Sequence, residues 1–153
     1  MDSNIVLSPE AVAIAHAETK NDILEELARL YEAAWQLDPQ LVHERLDQRE
    51  KLGSTGFGRG VAMPHARMPD IARPIAAVVR LEKPVAFDAA DGLPVELVFG
   101  LLSPENCGAA HLHALAALSR LVKDERVHEA LVEAPDAEAM YSLISNAADR
   151  DAA

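Results

Sequence analysis

Arg49-Glu-Lys-Leu-Gly-Ser-Thr-Gly-Phe-Gly-Arg-Gly-Val-Ala-Met-Pro-His-Ala-Arg67 is the segment with the strongest signal in this 153-residue chain. It places a loop of small residues before a short apolar run, Val61–Met63, which ends at Pro64 and His65. Glycine lets backbone N–H groups approach a ligand closely, and successive N–H groups form an anion-binding concavity. A histidine that follows a rigid proline beside such a concavity has the surroundings that a phosphate-accepting nucleophile requires. We therefore predict a phosphohistidine at His65.

Two better-known glycine motifs do not fit this loop. Gly53 and Gly58 have the spacing of a P-loop, but Arg59 and Gly60 stand where a lysine and a hydroxyl residue must follow. The glycines also miss the G-x-G-x-x-G spacing of a dinucleotide-binding loop, and a strand-like run follows them where that motif requires a helix. From the residues alone, an ordinary glycine-rich turn with a structural histidine beside it stays open as an alternative.

The core of the segment, Ser54-Thr-Gly-Phe-Gly-Arg-Gly-Val-Ala-Met-Pro-His65, resembles the active-site signature of one protein family. That family is the fructose/mannitol/nitrogen-type enzyme IIA domains of the phosphoenolpyruvate phosphotransferase system (PTS). Further matches, in the order of the family, are Arg49-Glu50, Asp91-Gly-Leu-Pro-Val95, the apolar run Leu97–Leu102, Ser103-Pro-Glu105 and His111-Leu-His-Ala-Leu115. The resemblance extends from about residue 8 to about residue 145, which is nearly the whole chain.

This resemblance implies a phosphotransfer site built on three residues. His65 would attack, through Nε2, the phosphohistidine of a small HPr-like phosphocarrier protein, and His111 would face it and stabilise the moving phosphoryl group. Arg49 matches a family arginine near the active site and offers a planar fork of donors to a phosphate. From the loop composition we expect additional phosphate contacts from Ser54, Thr55, Gly56 and Arg67.

The position of His111 also bears on metal binding. We expect it in the first turn of a helix that begins near Gly108, where the helix dipole and free N–H groups favour an anion. His113 lies two positions further on, roughly 200° around a helix, so the two imidazoles diverge. No carboxylate or cysteine completes a ligand set, and we predict neither a metal nor another cofactor.

Within the family, the nitrogen-type regulator is our first interpretation. The resemblance then implies that the phosphorylation state of His65 alters binding to targets such as sensor kinases or potassium transport systems. A sugar-specific enzyme IIA, which passes its phosphoryl group to a cysteine-bearing IIB domain, is the alternative. An interaction module without phosphotransfer is a third hypothesis, because Arg59 and Ala66 depart from the usual residues of the signature.

Composition is typical of one globular domain covering residues 1–153, with a frayed tail after about residue 148. Half of the residues are hydrophobic, and the net charge of −11 argues against a nucleic-acid surface. Cys107 is the single cysteine, so an intramolecular disulfide is impossible and a reducing compartment is expected. No signal peptide or membrane-spanning run is recognisable, which predicts a cytoplasmic protein without membrane insertion.

Hydrophobic periodicity predicts an α/β fold with a central mixed β-sheet and helices on both faces, a three-layer α/β/α arrangement. A capping box at Thr19–Asp22 and the Asp38-Pro39 pair begin two helices, the second ending at Lys51 before Gly53. The expected strands are Val61–Met63, Ile75–Leu81 and Val95–Leu102, with an additional edge strand near Val12–Ala15. Helices follow after Gly108, with Leu112, Leu115, Ala116, Ser119 and Val122 on one side, and then over Glu125–Glu133 and Ala137–Ala147.

Overall fold

The computed structural model describes residues 5–152, with their side chains as far as Ala147, and this part of the chain forms six strands and five helices. The strands are β1 (Val6–Ala15), β2 (Gly56–Gly58), β3 (Val61–Ala62), β4 (His65–Met68), β5 (Ile75–Val85) and β6 (Val95–Pro104). The helices are α1 (Lys20–Trp35), α2 (Pro39–Lys51), α3 (Ala109–Lys123), α4 (Glu125–Glu133) and α5 (Ala137–Ala152).

All six strands belong to one mixed sheet with the order β1-β5-β6-β3-β2. Strand β5 pairs parallel with β1 and antiparallel with β6. On its other side β6 pairs parallel with both β3 and β4, which follow one another along it, while β2 turns back antiparallel to β3. The predicted edge strand near Val12 is confirmed as part of β1, at the far edge of the sheet.

Two hydrophobic cores lie on the two faces of this sheet. Helices α1 and α2 cover one face, where Leu27 and Leu46 pack with sheet residues such as Val79. Helices α3, α4 and α5 cover the other, where Leu118 packs with Phe99. The central strands therefore contain continuous apolar runs, Ile75–Val79 in β5 and Leu97–Leu102 in β6, as in sheets that are buried on both sides. The predicted three-layer α/β/α fold is confirmed.

The helix signals that position the site are also confirmed. The Thr19 hydroxyl accepts from the Asp22 N–H at 3.1 Å, and the Asp22 carboxylate accepts in return from the Thr19 N–H at 3.2 Å. Asp38 caps α2 with Pro39 at its first position, and the helix ends at Lys51 as predicted. The last turn of α2 therefore delivers Arg49 to the start of the glycine loop.

Of the residues that the sequence places on one side of α3, only Val122 is buried. Leu112 is 65% exposed, and the residues that α3 buries are His111, Ala114, Ala117, Leu118, Leu121 and Val122. Alanine and leucine occur all around this helix, so more than one apolar stripe fits the sequence, and the sheet surface selects between them. His111 therefore lies on the buried side of α3.

Several strands and element ends also differ from the sequence-based prediction; β5 and β6, for example, extend to Val85 and Pro104. Strands β2 and β4 were not predicted, because three or four residues give too little periodicity to detect. Strand β3 ends at Ala62, one residue before the predicted end at Met63. Helix α5 extends to Ala152, past the predicted end at Ala147 and through most of the predicted tail; Ala153 lies outside the described residues.

Candidate active site

Three separate elements bring Arg49, His65 and His111 together. His65 is the first residue of β4, Arg49 lies in the last turn of α2, and His111 lies in the first turn of α3. The two imidazole rings have their centroids 5.8 Å apart and are tilted by 47°. Arg49 Nε is 3.3 Å from Nε2 of His65. The structure thus groups the three residues for which the sequence predicted a catalytic role.

The backbone fixes the tautomer of His65. Its Nδ1 lies 2.9 Å from the carbonyl oxygen of Met63, which can only accept a hydrogen bond, so Nδ1 carries the proton. Nε2 is then the unprotonated nitrogen, and its lone pair accepts the hydrogen bond from Arg49 Nε–H. The Nε2 lone pair therefore points towards the guanidinium group of Arg49.

A buried hydroxyl group forms a hydrogen bond with the ring of His111. Its Nδ1 lies 2.7 Å from Oγ of Ser103, a residue with no exposed surface at the end of β6. His111 itself is only 8% exposed. This contact uses Nδ1 and leaves Nε2 of His111 as the ring nitrogen that can donate to a ligand, with the Ser103 hydroxyl donating to Nδ1 in that tautomer.

Arg67 joins the site through strand periodicity. It lies two residues after His65 on β4, so both side chains project from the same face of the sheet. Its register partner on β6 is Ser103, the residue that holds His111. Arg67 also donates to the carbonyl oxygen of Glu105 at 3.4 Å. Arg67, the second predicted cation of the site after Arg49, thus lies near His111.

The remaining predicted phosphate ligands form hydrogen bonds with other groups of the protein. The Ser54 hydroxyl donates to the Phe87 carbonyl at 2.7 Å and accepts from the Gly56 N–H at 3.0 Å. The N–H and the hydroxyl of Thr55 both donate to the Glu50 carboxylate, at 2.5 and 2.6 Å. These donors order the loop, and the phosphate contacts predicted for Ser54, Thr55 and Gly56 would require these bonds to open.

Residues 5–147 match the family described as "Phosphoenolpyruvate-dependent sugar phosphotransferase system, EIIA 2". The chain belongs to this enzyme IIA family. It is 40% identical over 141 residues to the nitrogen regulatory protein of Bradyrhizobium diazoefficiens, covering 92% of each chain. It is 43% identical over 127 residues to that of Pseudomonas aeruginosa, covering 82% of each. The crystal structure of nitrogen regulatory protein IIA-Ntr from Neisseria meningitidis is similar, with a TM-score of 0.82 at 37% identity over 90% of this chain and 95% of that one.

Sequence reasoning missed two polar residues in this enzyme IIA site. Glu50, adjacent to Arg49 in the sequence, is a buried carboxylate, 7% exposed, that accepts from both donors of Thr55. Ser103, the first residue of the matching tripeptide Ser103-Pro-Glu105, forms a hydrogen bond with His111. An acidic residue next to the arginine, at the end of a helix whose other acidic residues are more exposed, carries no periodic signal of burial. Only the loop geometry reveals both contacts.

Burial and positive charge lower the pKa of both histidines. For His65, loss of solvent is the main cause, the Arg49 guanidinium adds to it, and the Met63 hydrogen bond and the Glu50 charge oppose it. For His111, burial again comes first, followed by the charges of Arg67 and His65. Both pKa values lie below the ordinary value of about 6.5, so both rings are neutral near pH 7. A neutral His65 is the form that can act as a nucleophile.

Exposed apolar side chains flank these functional residues. Leu52 is 85% exposed directly after the α2 turn that carries Arg49, and Leu112 is 65% exposed directly after His111. Phe57, at the middle of β2, is 38% exposed, with the Lys123 ammonium 5.5 Å from its ring centroid. We call Leu52 and Leu112 the apolar rim; Phe57 lies near Lys123, at the other end of α3 from His111, and is not part of it. None of the described helices is long and apolar enough to span a membrane.

An NMR titration of the His65 ring should give a pKa below about 6.5, and the substitution Arg49→Gln should raise it towards that value. Lys51→Gln removes a charge from the same helix turn, 74% exposed, and should leave the His65 pKa unchanged.

Below about pH 6.5 the unfolded chain binds protons that folded His65 and His111 do not. The free energy of unfolding should therefore decrease as the pH falls from 6.5 towards the folded-state pKa values. A His65 pKa at or above 6.5 contradicts this account.

Proposed function

We propose that Nε2 of His65 accepts a phosphoryl group from the phosphohistidine of a small HPr-like phosphocarrier protein, and that the phosphorylation state regulates target proteins. The observation that carries this proposal is the bond from Nδ1 of His65 to the Met63 carbonyl, at 2.9 Å, which leaves Nε2 as the nucleophile. Arg49 at 3.3 Å and the nearby ring of His111 supply the groups that a phosphoryl transfer needs around it. Membership of the enzyme IIA family supports the same chemistry.

The transfer is an exchange of one phosphorus–nitrogen bond for another. The Nε2 lone pair of His65 attacks phosphorus, and the bond to the donor nitrogen breaks with its electron pair returning to the donor imidazole. The Nδ1 proton of His65 stays on the ring, bound to the Met63 carbonyl. The Arg49 guanidinium moves its hydrogen bond from the lone pair to a phosphoryl oxygen. His111 Nε2–H and Arg67 stabilise the charge of the transferring group by position and electrostatics.

A regulatory role is supported by the surface around the nucleophile. A phosphoryl group adds up to two negative charges at neutral pH. Here the phosphoryl group would lie beside the apolar rim. Exposed apolar surface of this kind is what contacts between proteins use. The relatives named above carry the name "Nitrogen regulatory protein". We propose sensor kinases and potassium transport systems as target classes, and the cytoplasm as the place where phosphoenolpyruvate-derived phosphoryl groups reach His65.

Phosphorylation with phosphoenolpyruvate, enzyme I and the cognate phosphocarrier should add one phosphoryl group to the wild type and none to His65→Ala, read by intact mass. NMR of the labelled protein should place phosphorus on Nε2, because Nδ1 is bound to Met63. A control enzyme IIA, labelled in parallel, establishes that the donors are active. A labelled His65→Ala protein, or an unlabelled wild type beside a labelled control, refutes the assignment; the latter result favours the interaction module.

The roles of the two neighbouring histidines on α3 should differ sharply. His111→Ala removes the donor that faces the phosphoryl group and should slow single-turnover phosphorylation of His65 by about a hundredfold. His113→Ala is the matched control, because His113 is exposed on the same helix and should leave the rate within about twofold. Equal rates for both variants would remove His111 from the site.

Regulator and sugar-transport component differ in where the phosphoryl group goes next. We expect phosphorylated protein to keep its label when mixed with a cysteine-bearing fructose-type or mannitol-type IIB domain. We also expect its Kd for a purified sensor kinase of the same cell to change at least tenfold between the two phosphorylation states. His65→Ala, treated with the same donors, controls for the effect of the treatment. Rapid appearance of label on the IIB cysteine contradicts the regulatory assignment.

A further inference from the structure

Glu50 is a buried carboxylate, and carboxylates are rarely buried unless they are paired. It is 7% exposed at the end of α2, beside the loop that leads to His65. The Lys20 ammonium lies 3.3 Å from its Oε1 and supplies the compensating charge. An ionised carboxylate is costly to bury unless it is paired and hydrogen-bonded, and Glu50 is both.

The Glu50 carboxylate fixes one residue of the loop by two donors. The Thr55 N–H donates to Oε1 at 2.5 Å, and the Thr55 hydroxyl donates to Oε2 at 2.6 Å. Hydrogen bonds to an ionised acceptor are short and stronger than those between neutral groups. A residue held at both its backbone and its side chain has little freedom to move relative to α2, so the carbonyl of Thr55 is fixed as well.

That carbonyl continues the connection to the nucleophile. The Thr55 oxygen accepts from the Met63 N–H at 3.0 Å, and the Met63 oxygen in turn accepts from Nδ1 of His65 at 2.9 Å. The peptide of Met63 is therefore held on its N–H side by the loop while its oxygen selects the tautomer of His65. A displacement of Thr55 shifts this peptide and weakens the bond that keeps the proton on Nδ1.

Adjacent residues of α2 thus control the two ring nitrogens of His65. Arg49 reaches Nε2 directly at 3.3 Å and also donates to the Gly53 carbonyl at 2.9 Å. Glu50 reaches Nδ1 through Thr55 and Met63. A single helix turn therefore sets both the charge beside the attacking nitrogen and the hydrogen bond behind the ring.

We propose that Glu50 is a positioning residue for phosphoryl transfer. Glu50 holds His65 in the Nδ1–H tautomer through Thr55 and the Met63 carbonyl. This inference rests on the proposed function of Nε2 as the nucleophile. Glu50 does not touch the phosphoryl group. Its effect on the reaction is the fraction of His65 that presents an unprotonated Nε2 in the correct direction, since a small misplacement of a reacting group costs rate steeply.

The test compares full-length Glu50→Gln with Glu44→Gln, an exposed residue on the same helix that serves as the matched control. Two-bond ¹H–¹⁵N spectra of the histidine rings report which nitrogen of His65 carries the proton, without any phosphorylation. In Glu50→Gln we expect both tautomers of His65, an unchanged His111 spectrum and single-turnover phosphorylation slowed by about tenfold or more. Glu44→Gln should retain the Nδ1–H signature and the full rate.

Thr55→Val is the second variant, because it removes the hydroxyl donor, keeps the side-chain shape and leaves the buried Glu50–Lys20 pair in place. It should move the His65 tautomer in the same direction by a smaller amount, and it decides the question if Glu50→Gln does not fold. A pure Nδ1–H signature with the wild-type rate in the folded variants overturns the inference. A wild type that is never phosphorylated, with a tautomer that shifts in Glu50→Gln, refutes the proposed function and retains only the role of Glu50 in fixing the tautomer of His65.

Discussion

The hydrogen bond from Nδ1 of His65 to the Met63 carbonyl is the contact on which the site depends. The register with β6 is continuous through Pro64, whose carbonyl accepts from the Leu101 N–H at 2.9 Å. Because successive residues of a strand direct their backbone polar groups to opposite sides, those of Met63 face away from β6. Its N–H donates to the Thr55 carbonyl at 3.0 Å, and its oxygen is left for the imidazole.

Both layers of helices contribute to the site. Ala66 of β4 packs into the core beneath α1 and α2, whereas His65 and Arg67 project towards the opposite face, where α3 carries His111. Arg49 belongs to the α2 layer and nevertheless reaches Nε2 of His65. His65 therefore lies where groups from both faces of the sheet reach it.

Local features of the fold were more predictable from this sequence than contacts between separate elements. The N-terminal caps at Thr19 and Asp38 are local, so the starts of α1 and α2, and with them the place of Arg49 on α2, follow from the residues. The buried side of α3 depends on which of several apolar stripes fits the sheet, and that is a tertiary choice. Glu50 and Thr55 show the same limit, because a pairing across a loop turn leaves no periodicity in the sequence.

Positive charge performs two opposed tasks in the proposed function, and the order of events reconciles them. Before the proposed transfer, burial and then the charges of Arg49 and Arg67 lower the pKa values of His65 and His111, which keeps the imidazoles neutral. After it, the same guanidinium groups would face a phosphoryl group and stabilise its negative charge. Protonation of His65 is thus opposed, and under the proposed function its phosphorylation would be favoured.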